Sequence, residues 1–287
     1  MRGTSTLITL LLPVAVVQGQ PTTQSALEHL MDAQAAALMN RPPPQPRLHL
    51  SVAGGLGDAR QGAPLIIRMV IEPPVQQRRV LIAARVGAWS NLIRLDVTNS
   101  AGEAVPAHPI LTGKPEPRLD LGGGAAECIW VIDATDAARL TPGAYTVVAT
   151  LDCSSEGMPG FWTGRAVSNP ATIRLIAAGE SAPPAEILGA ELHRLRADLL
   201  LGRGEQALAR VDTALAATPD QPDLLIARGD ILAELRRFAE ASHAYDRAAD
   251  QLTNARPDDV ELIARLTSLS GEMSARASER GKRNGAP

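Results

Sequence analysis

The sequence predicts a mixed β plus α protein, with an antiparallel β-sandwich followed by a helical segment. Short apolar runs with period two, divided by Gly, Pro and Asn turns, occupy the first part after the N-terminus. Beyond it, an Ala-, Leu- and Arg-rich stretch has helical spacing. The predicted parts of the 287 residues are a signal peptide (1–19), a helical arm with a Pro-rich linker (20–47), the β-sandwich (48–177), a linker (178–184), helical repeats with a capping helix (185–281) and a tail (282–287).

The N-terminus has the layout of a secretory signal peptide. Arg2 precedes an apolar run from Leu7 to Val17, and the small residues Val17 and Gly19 stand before a cleavage point at Gln20. This run is shorter than the roughly 20 residues that a transmembrane helix needs, and no second run of that length follows. We therefore expect an exported protein, periplasmic or extracellular, with no integral membrane segment after signal removal.

The arm after the signal combines a short helix with an extended spacer. Leu27, Leu30, Met31 and Leu38 recur at helical spacing. The proline-rich stretch at 41–46 ends the helix, because proline cannot continue it, and predicts an extended linker.

The β segment shows alternation most clearly in two places. Ile93, Leu95 and Val97 alternate with polar residues, and so do the apolar residues from Tyr145 to Leu151. Six or seven short strands in this segment, with no helices between them, favour an antiparallel sandwich. The further apolar runs are Leu65–Ile71, Val80–Val86, Cys128–Asp133 and Ala171–Ile176.

Two motifs sharpen the fold of this segment. Residues 140–145 read LTPGAY, a tight turn before a strand that opens with Tyr145. Residues 161–164 read FWTG, and 168–175 read SNPATIRL. These stretches resemble the strand-entry corner and the closing strand of bacterial immunoglobulin-like domains. The resemblance implies an immunoglobulin-like β-sandwich and says little about function.

The helical segment repeats itself at an offset of 34 residues. Apolar and small positions recur in pairs, with Leu201 and Leu235, Gly204 and Phe238, Ala207 and Ala241, Val211 and Tyr245, and Ala214 and Ala248. A third amphipathic helix at 258–280 would cap the exposed end of the stack.

This repeat resembles the tetratricopeptide repeat. Gly229 and Ala241 match the family's two small positions, and Pro219 matches its closing proline. Leu195 and Asp198 depart from the pattern in the first unit. The resemblance implies a binding groove along the first helix of each unit, at Leu192, Arg196, Leu199, Ile226, Asp230 and Ala233.

Sequence motifs for catalysis, metal binding or phosphate binding are absent. Neither H-E-x-x-H, C-x-x-C nor G-x-S-x-G occurs, and the Gly-rich stretches lack the G-K-[ST] of a phosphate loop. The sequence thus predicts no enzyme, cofactor or metal. A net charge of −3 argues against nucleic-acid binding, and seven aromatic residues are few for a sugar cleft.

For three residues of the β segment, the sequence leaves the structural role open. Cys128 and Cys153 are consistent with a disulfide, given an oxidising compartment, or with two buried thiols. Trp162, after a Pro-Gly turn, is the best candidate for an exposed aromatic contact.

The function that the sequence favours is an exported, non-enzymatic adaptor that binds a protein or peptide partner. One alternative is a structural, homo-oligomeric component of envelope assembly. A carbohydrate-binding or cryptic hydrolytic module is a third and weaker alternative.

Overall fold

The computed structural model describes residues 45–54, 58–74, 80–113, 116–157, 159–178 and 183–284. The predicted signal peptide at 1–19 and nearly all of the arm at 20–47 lie outside the described residues. So do most of the linker at 178–184 and the last three residues of the tail.

The protein is mixed β plus α, with antiparallel sheets in its N-terminal part and helices in its C-terminal part. The strands are β1 (Arg47–Ala53), β2 (Ala59–Arg60), β3 (Leu65–Glu72), β4 (Leu81–Ala83), β5 (Ile93–Asn99), β6 (Ile110–Leu111), β7 (Arg118–Asp120), β8 (Ala126–Ile132), β9 (Gly143–Asp152), β10 (Arg165–Val167) and β11 (Ala171–Ile176). The helices are the short α1 (Ala134–Ala137), then α2 (Pro184–Leu200), α3 (Gly204–Ala217), α4 (Pro222–Glu234), α5 (Phe238–Ala255) and α6 (Val260–Asn284).

The strands form two main sheets and one small one. The first sheet has the order β1-β3-β8-β6, with all pairs antiparallel. In the second, β9 pairs with β5 along one side and with β10 and β11 along the other. Strand β2 joins β11 as a parallel neighbour, and β4 pairs with β7 in the small sheet.

The inner faces of the two main sheets share one hydrophobic core. Ile67 and Trp130 contribute from the first sheet, and Val147 and Leu151 from the second. The period-two burial predicted from Tyr145 to Leu151 is present in β9, because successive strand side chains point to opposite faces. Tyr145 also closes the preceding turn, since its hydroxyl donates a 2.7 Å hydrogen bond to the Thr141 carbonyl.

The two cysteines are free thiols, so the disulfide alternative is wrong. Cys128 lies on β8 of the first sheet, and Cys153 directly follows β9 of the second. Both are buried in the shared core, where desolvation raises the pKa of each thiol to about 12. They therefore behave as small apolar core residues.

The helices follow the 34-residue repeat. Gly202 ends the turn after α2 at φ +71°, and Arg236 takes the same left-handed conformation after α4 at φ +58°. Matching 2.8 Å hydrogen bonds close the two turns, from the Arg203 N–H to the Asp198 carbonyl and from the Arg237 N–H to the Leu232 carbonyl. The predicted third helix is α6, which continues to Asn284, past residue 281.

Helix α2 rests on the outer face of the first sheet. Ile66 on β3 and Val131 on β8 are buried against Ala197 of α2. The His193 ring, one turn earlier, lies 3.0 Å from the Pro64 carbonyl oxygen. Arg203 reaches Asp133 at 3.4 Å. The described residues from 45 to 284 thus belong to one compact unit, and α2 joins the β and helical regions.

Candidate functional site

A groove of about 460 Å³ lies between α2 and α4. Each helix begins with a proline at its first position, Pro184 or Pro222, where the missing N–H costs no hydrogen bond. Residues three and four apart then share a helix face, and one face of each helix turns toward the other. The groove is lined by Leu192, Leu195, Arg196 and Leu199 of α2 and by Asp223, Ile226, Ala227, Asp230 and Ile231 of α4.

The floor of this groove is apolar and anchored in the helical core. Leu195 and Ile231 are buried in that core, with 2% and 0% of their surfaces exposed. Leu192, Leu199 and Ile226 are half-buried against it. They keep apolar surface available to a ligand.

The charges of the groove are divided between its walls. Arg196 stands exposed on α2 and, within the part of the chain that the structure describes, is paired with no carboxylate. The α4 wall carries Asp223 and Asp230. Asp223 is already engaged, accepting a 3.1 Å hydrogen bond from Gln221 and lying 3.8 Å from Arg256.

A hydrogen bond from Tyr245 fixes the position of the Asp230 carboxylate. The Tyr245 hydroxyl, on α5, donates a 2.7 Å hydrogen bond to the Asp230 carboxylate. Asp230 as a whole residue is exposed, but desolvation of its carboxyl raises the pKa of that group. The hydrogen bond from Tyr245 and the charge of Arg265 oppose this rise only in part. The same desolvation raises the pKa of the Tyr245 phenol.

A glycine makes this arrangement possible. A Cβ on Gly229 would stand 2.5 Å from Cε1 of the Tyr245 ring. Without a side chain at Gly229, the ring passes close to the α4 backbone and reaches Asp230. Tyr245 is therefore a positioning residue for a groove carboxylate.

The structure brings together five of the six residues expected in the groove. Ala233 is the exception: it lies next to the end of α4 and packs against the helical core instead. Sequence reasoning missed four lining residues, namely Leu195, Asp223, Ala227 and Ile231. Leu195, Asp223 and Ala227 each lie three positions from an expected residue, and Ile231 lies four positions after Ala227. The helical period was therefore the signal that could have found them.

Trp162 does not provide the exposed aromatic contact that the sequence suggested. Its side chain is buried in the β core with 8% of its surface exposed, and its backbone N–H donates to the Leu81 carbonyl at 2.8 Å. The Pro-Gly turn brings the chain back beside β4, which places the ring inside. Phe161, its neighbour, is only half-buried and lies under Arg118 at 5.8 Å.

The described residues offer no metal site and no membrane-spanning helix. Among them, no group of three or more His, Cys, Asp or Glu side chains is placed to hold a metal ion. In that same part of the chain, no helix is both long enough and apolar enough to cross a bilayer. The α2–α4 groove is the site with the strongest geometric case.

No protein-family model matches this chain, and no curated protein matches it. Among solved structures, it is similar to a chain from a study of host recognition and biofilm formation by aggregative adherence fimbriae of enteroaggregative Escherichia coli. That similarity covers 45% of this chain and 99% of the other, with 15% identity and a TM-score of 0.28. A likeness at this level assigns neither a fold family nor a function.

Proposed function

We propose that this protein is an exported, non-enzymatic adaptor that binds a polypeptide segment of a partner protein in the α2–α4 groove. The observation that carries the proposal is the groove itself, with its anchored apolar floor and the unpaired Arg196 on its wall. Among the described residues, Arg196 has no carboxylate of its own, and a ligand can supply one.

The helical part is best interpreted as two tetratricopeptide-like units with a capping helix. The 34-residue offset recurs in backbone geometry at Gly202 and Arg236, as well as in side-chain pattern. Gly229 permits a close approach of α4 and α5, as a small repeat position requires. In such stacks the first helices of successive units line the concave face, and α2 and α4 hold those places.

The β part is best interpreted as an immunoglobulin-like sandwich that supports the groove. Tyr145 bonds back to the turn before its own strand, which is the arrangement expected at the corner of such domains. Its role in the adaptor is to fix α2, because the first sheet packs on that helix through Ile66 and Val131. The signal-like N-terminus supports export.

Site-specific photocrosslinking in the cells that make the protein tests this function. A photoreactive phenylalanine analogue replaces Leu192 in the groove or, as a matched control, Leu215, a similarly half-buried leucine of α3 outside it. We expect a crosslinked partner protein from position 192 only, and its loss on Arg196→Glu. Thermal unfolding of Arg196→Glu should match that of the wild type, because the side chain is exposed and unpaired in the described structure.

Two outcomes would contradict the adaptor. Equal crosslinking from Leu192 and Leu215 would show that contact with the partner is not confined to the groove. Adducts that join two copies of this chain, together with a mass that rises with concentration, would favour the homo-oligomeric component.

A further inference from the structure

Opposite charges face each other across the groove without neutralising each other. Arg196 on α2 and Asp230 on α4 line the same cavity, and no ion pair within 4.0 Å joins them in the described structure. Other charged residues on these helices do pair, for example Arg228 with Asp212 at 2.7 Å and Arg210 with Asp198 at 3.3 Å. Arg196 and Asp230 therefore line one groove without pairing with each other in the described structure.

Asp230 is better prepared for a cation than an ordinary surface carboxylate. The hydrogen bond from Tyr245 fixes its direction, so little rotamer entropy is lost when a ligand binds. The charge of Arg265 lowers the pKa of the Asp230 carboxyl but only partly opposes desolvation, and Arg265 itself lines a different cavity, beside the start of α6. A ligand cation that enters the groove would complete the pairing.

We propose that the groove selects peptide segments of mixed charge, in which bulky apolar side chains lie between an acidic residue that pairs with Arg196 and a basic residue that pairs with Asp230. This inference rests on the proposed function and specifies the partner's chemistry. The apolar residues occupy the floor formed by Leu195, Leu199 and Ile226. The two flanking charges give the segment a fixed orientation, since turning it around would set like charges against each other.

Selection from a displayed library of random 12-residue peptides tests the inference on the full-length mature protein. Wild type, Arg196→Glu and Asp230→Asn are each used as bait. Asp230→Asn keeps an acceptor for the Tyr245 hydroxyl and removes the charge. Arg236→Glu is the matched control, because it makes the same charge reversal at an exposed arginine outside the groove.

We expect wild type and Arg236→Glu to enrich peptides with an acidic and a basic residue flanking apolar ones. Arg196→Glu should instead enrich peptides with basic residues alone. Fluorescence anisotropy of one enriched peptide should show binding about three- to tenfold weaker to Asp230→Asn, as expected for the loss of one partly desolvated ion pair.

The failures of the two proposals are distinguishable. If wild type enriches no peptide whose binding is lost on Ile226→Glu, the proposed function is wrong. If it enriches apolar peptides whose charges do not change on Arg196→Glu, the groove binds peptides and the mixed-charge inference is overturned.

Discussion

Replacing Gly229 with alanine should destabilise the protein, although alanine is the better helix former. In the interior of an exposed helix, alanine is favoured over glycine by about 0.8–1.0 kcal/mol. The new methyl would lie 2.5 Å from Cε1 and 2.7 Å from Cδ1 of Tyr245, whereas carbon atoms normally rest about 3.5–4.0 Å apart. The buried ring would have to move by about 1 Å.

The size of the loss follows from these contacts. Overpacking of this kind costs about 1–3 kcal/mol, and a weakened Tyr245–Asp230 hydrogen bond adds about 0.5–1.5 kcal/mol. Subtracting the helix-propensity gain leaves a net destabilisation of about 0.5–3.7 kcal/mol. Gly271 on α6 is the matched control, because it is exposed and a Cβ there meets nothing within 4 Å. Gly271→Ala should therefore raise the free energy of unfolding by about 0.8–1.0 kcal/mol.

Urea unfolding followed by circular dichroism measures both changes. In a Tyr245→Ala background the clash is gone, so Gly229→Ala should lose its destabilising effect in a double-mutant cycle. A Gly229→Ala protein that gains stability, as Gly271→Ala does, would refute the close contact between α4 and Tyr245 and with it the positioning of Asp230.

Two further predictions concern the turn after α4 and the junction with the sheet. Arg236→Gly should raise the free energy of unfolding, measured in urea, by about 0.5–1 kcal/mol, because the left-handed conformation at φ +58° is costly for a residue with a side chain. An unchanged free energy of unfolding would contradict that strain. Burial lowers the pKa of His193 below 6.5, with a smaller opposing effect of its bond to the Pro64 carbonyl. The unfolded chain then binds the proton more readily, so stability should fall as the pH drops below about 6.5. His193→Asn should show a shallower fall, and equal slopes in the two proteins would contradict the desolvated junction.

Features set by local periodicity could be predicted from the sequence. The alternation in β9 fixes which side chains face the core, and the helical period on α2 and α4 places five expected residues around one groove. The two-residue strands β2 and β6 are too short to show any period, so the sequence did not reveal them.

Features set by tertiary packing could not be predicted in this way. Trp162 follows a turn that is consistent with an exposed or an inward ring. Its burial in the β core depends on how the chain packs beside β4, which the local sequence does not show. The separation of Cys128 and Cys153 is also set by tertiary packing, because it depends on which sheet each strand joins. The contact of Ala197 with Ile66 requires knowing which helix covers the outer face of the sheet.

Helix α2, which forms one wall of the groove, is held by both the first sheet and the helical core. One face of α2, at His193 and Ala197, rests on the first sheet. A second contact, through Leu195, lies in the helical core, and Arg196 lines the groove between α2 and α4. Because two regions hold the helix, its groove face loses little freedom when a ligand binds, and a preorganised surface of this kind binds more tightly for the same contacts. Under the proposed function, the β region contributes to recognition by fixing one wall of the groove, although none of its described residues lines that groove.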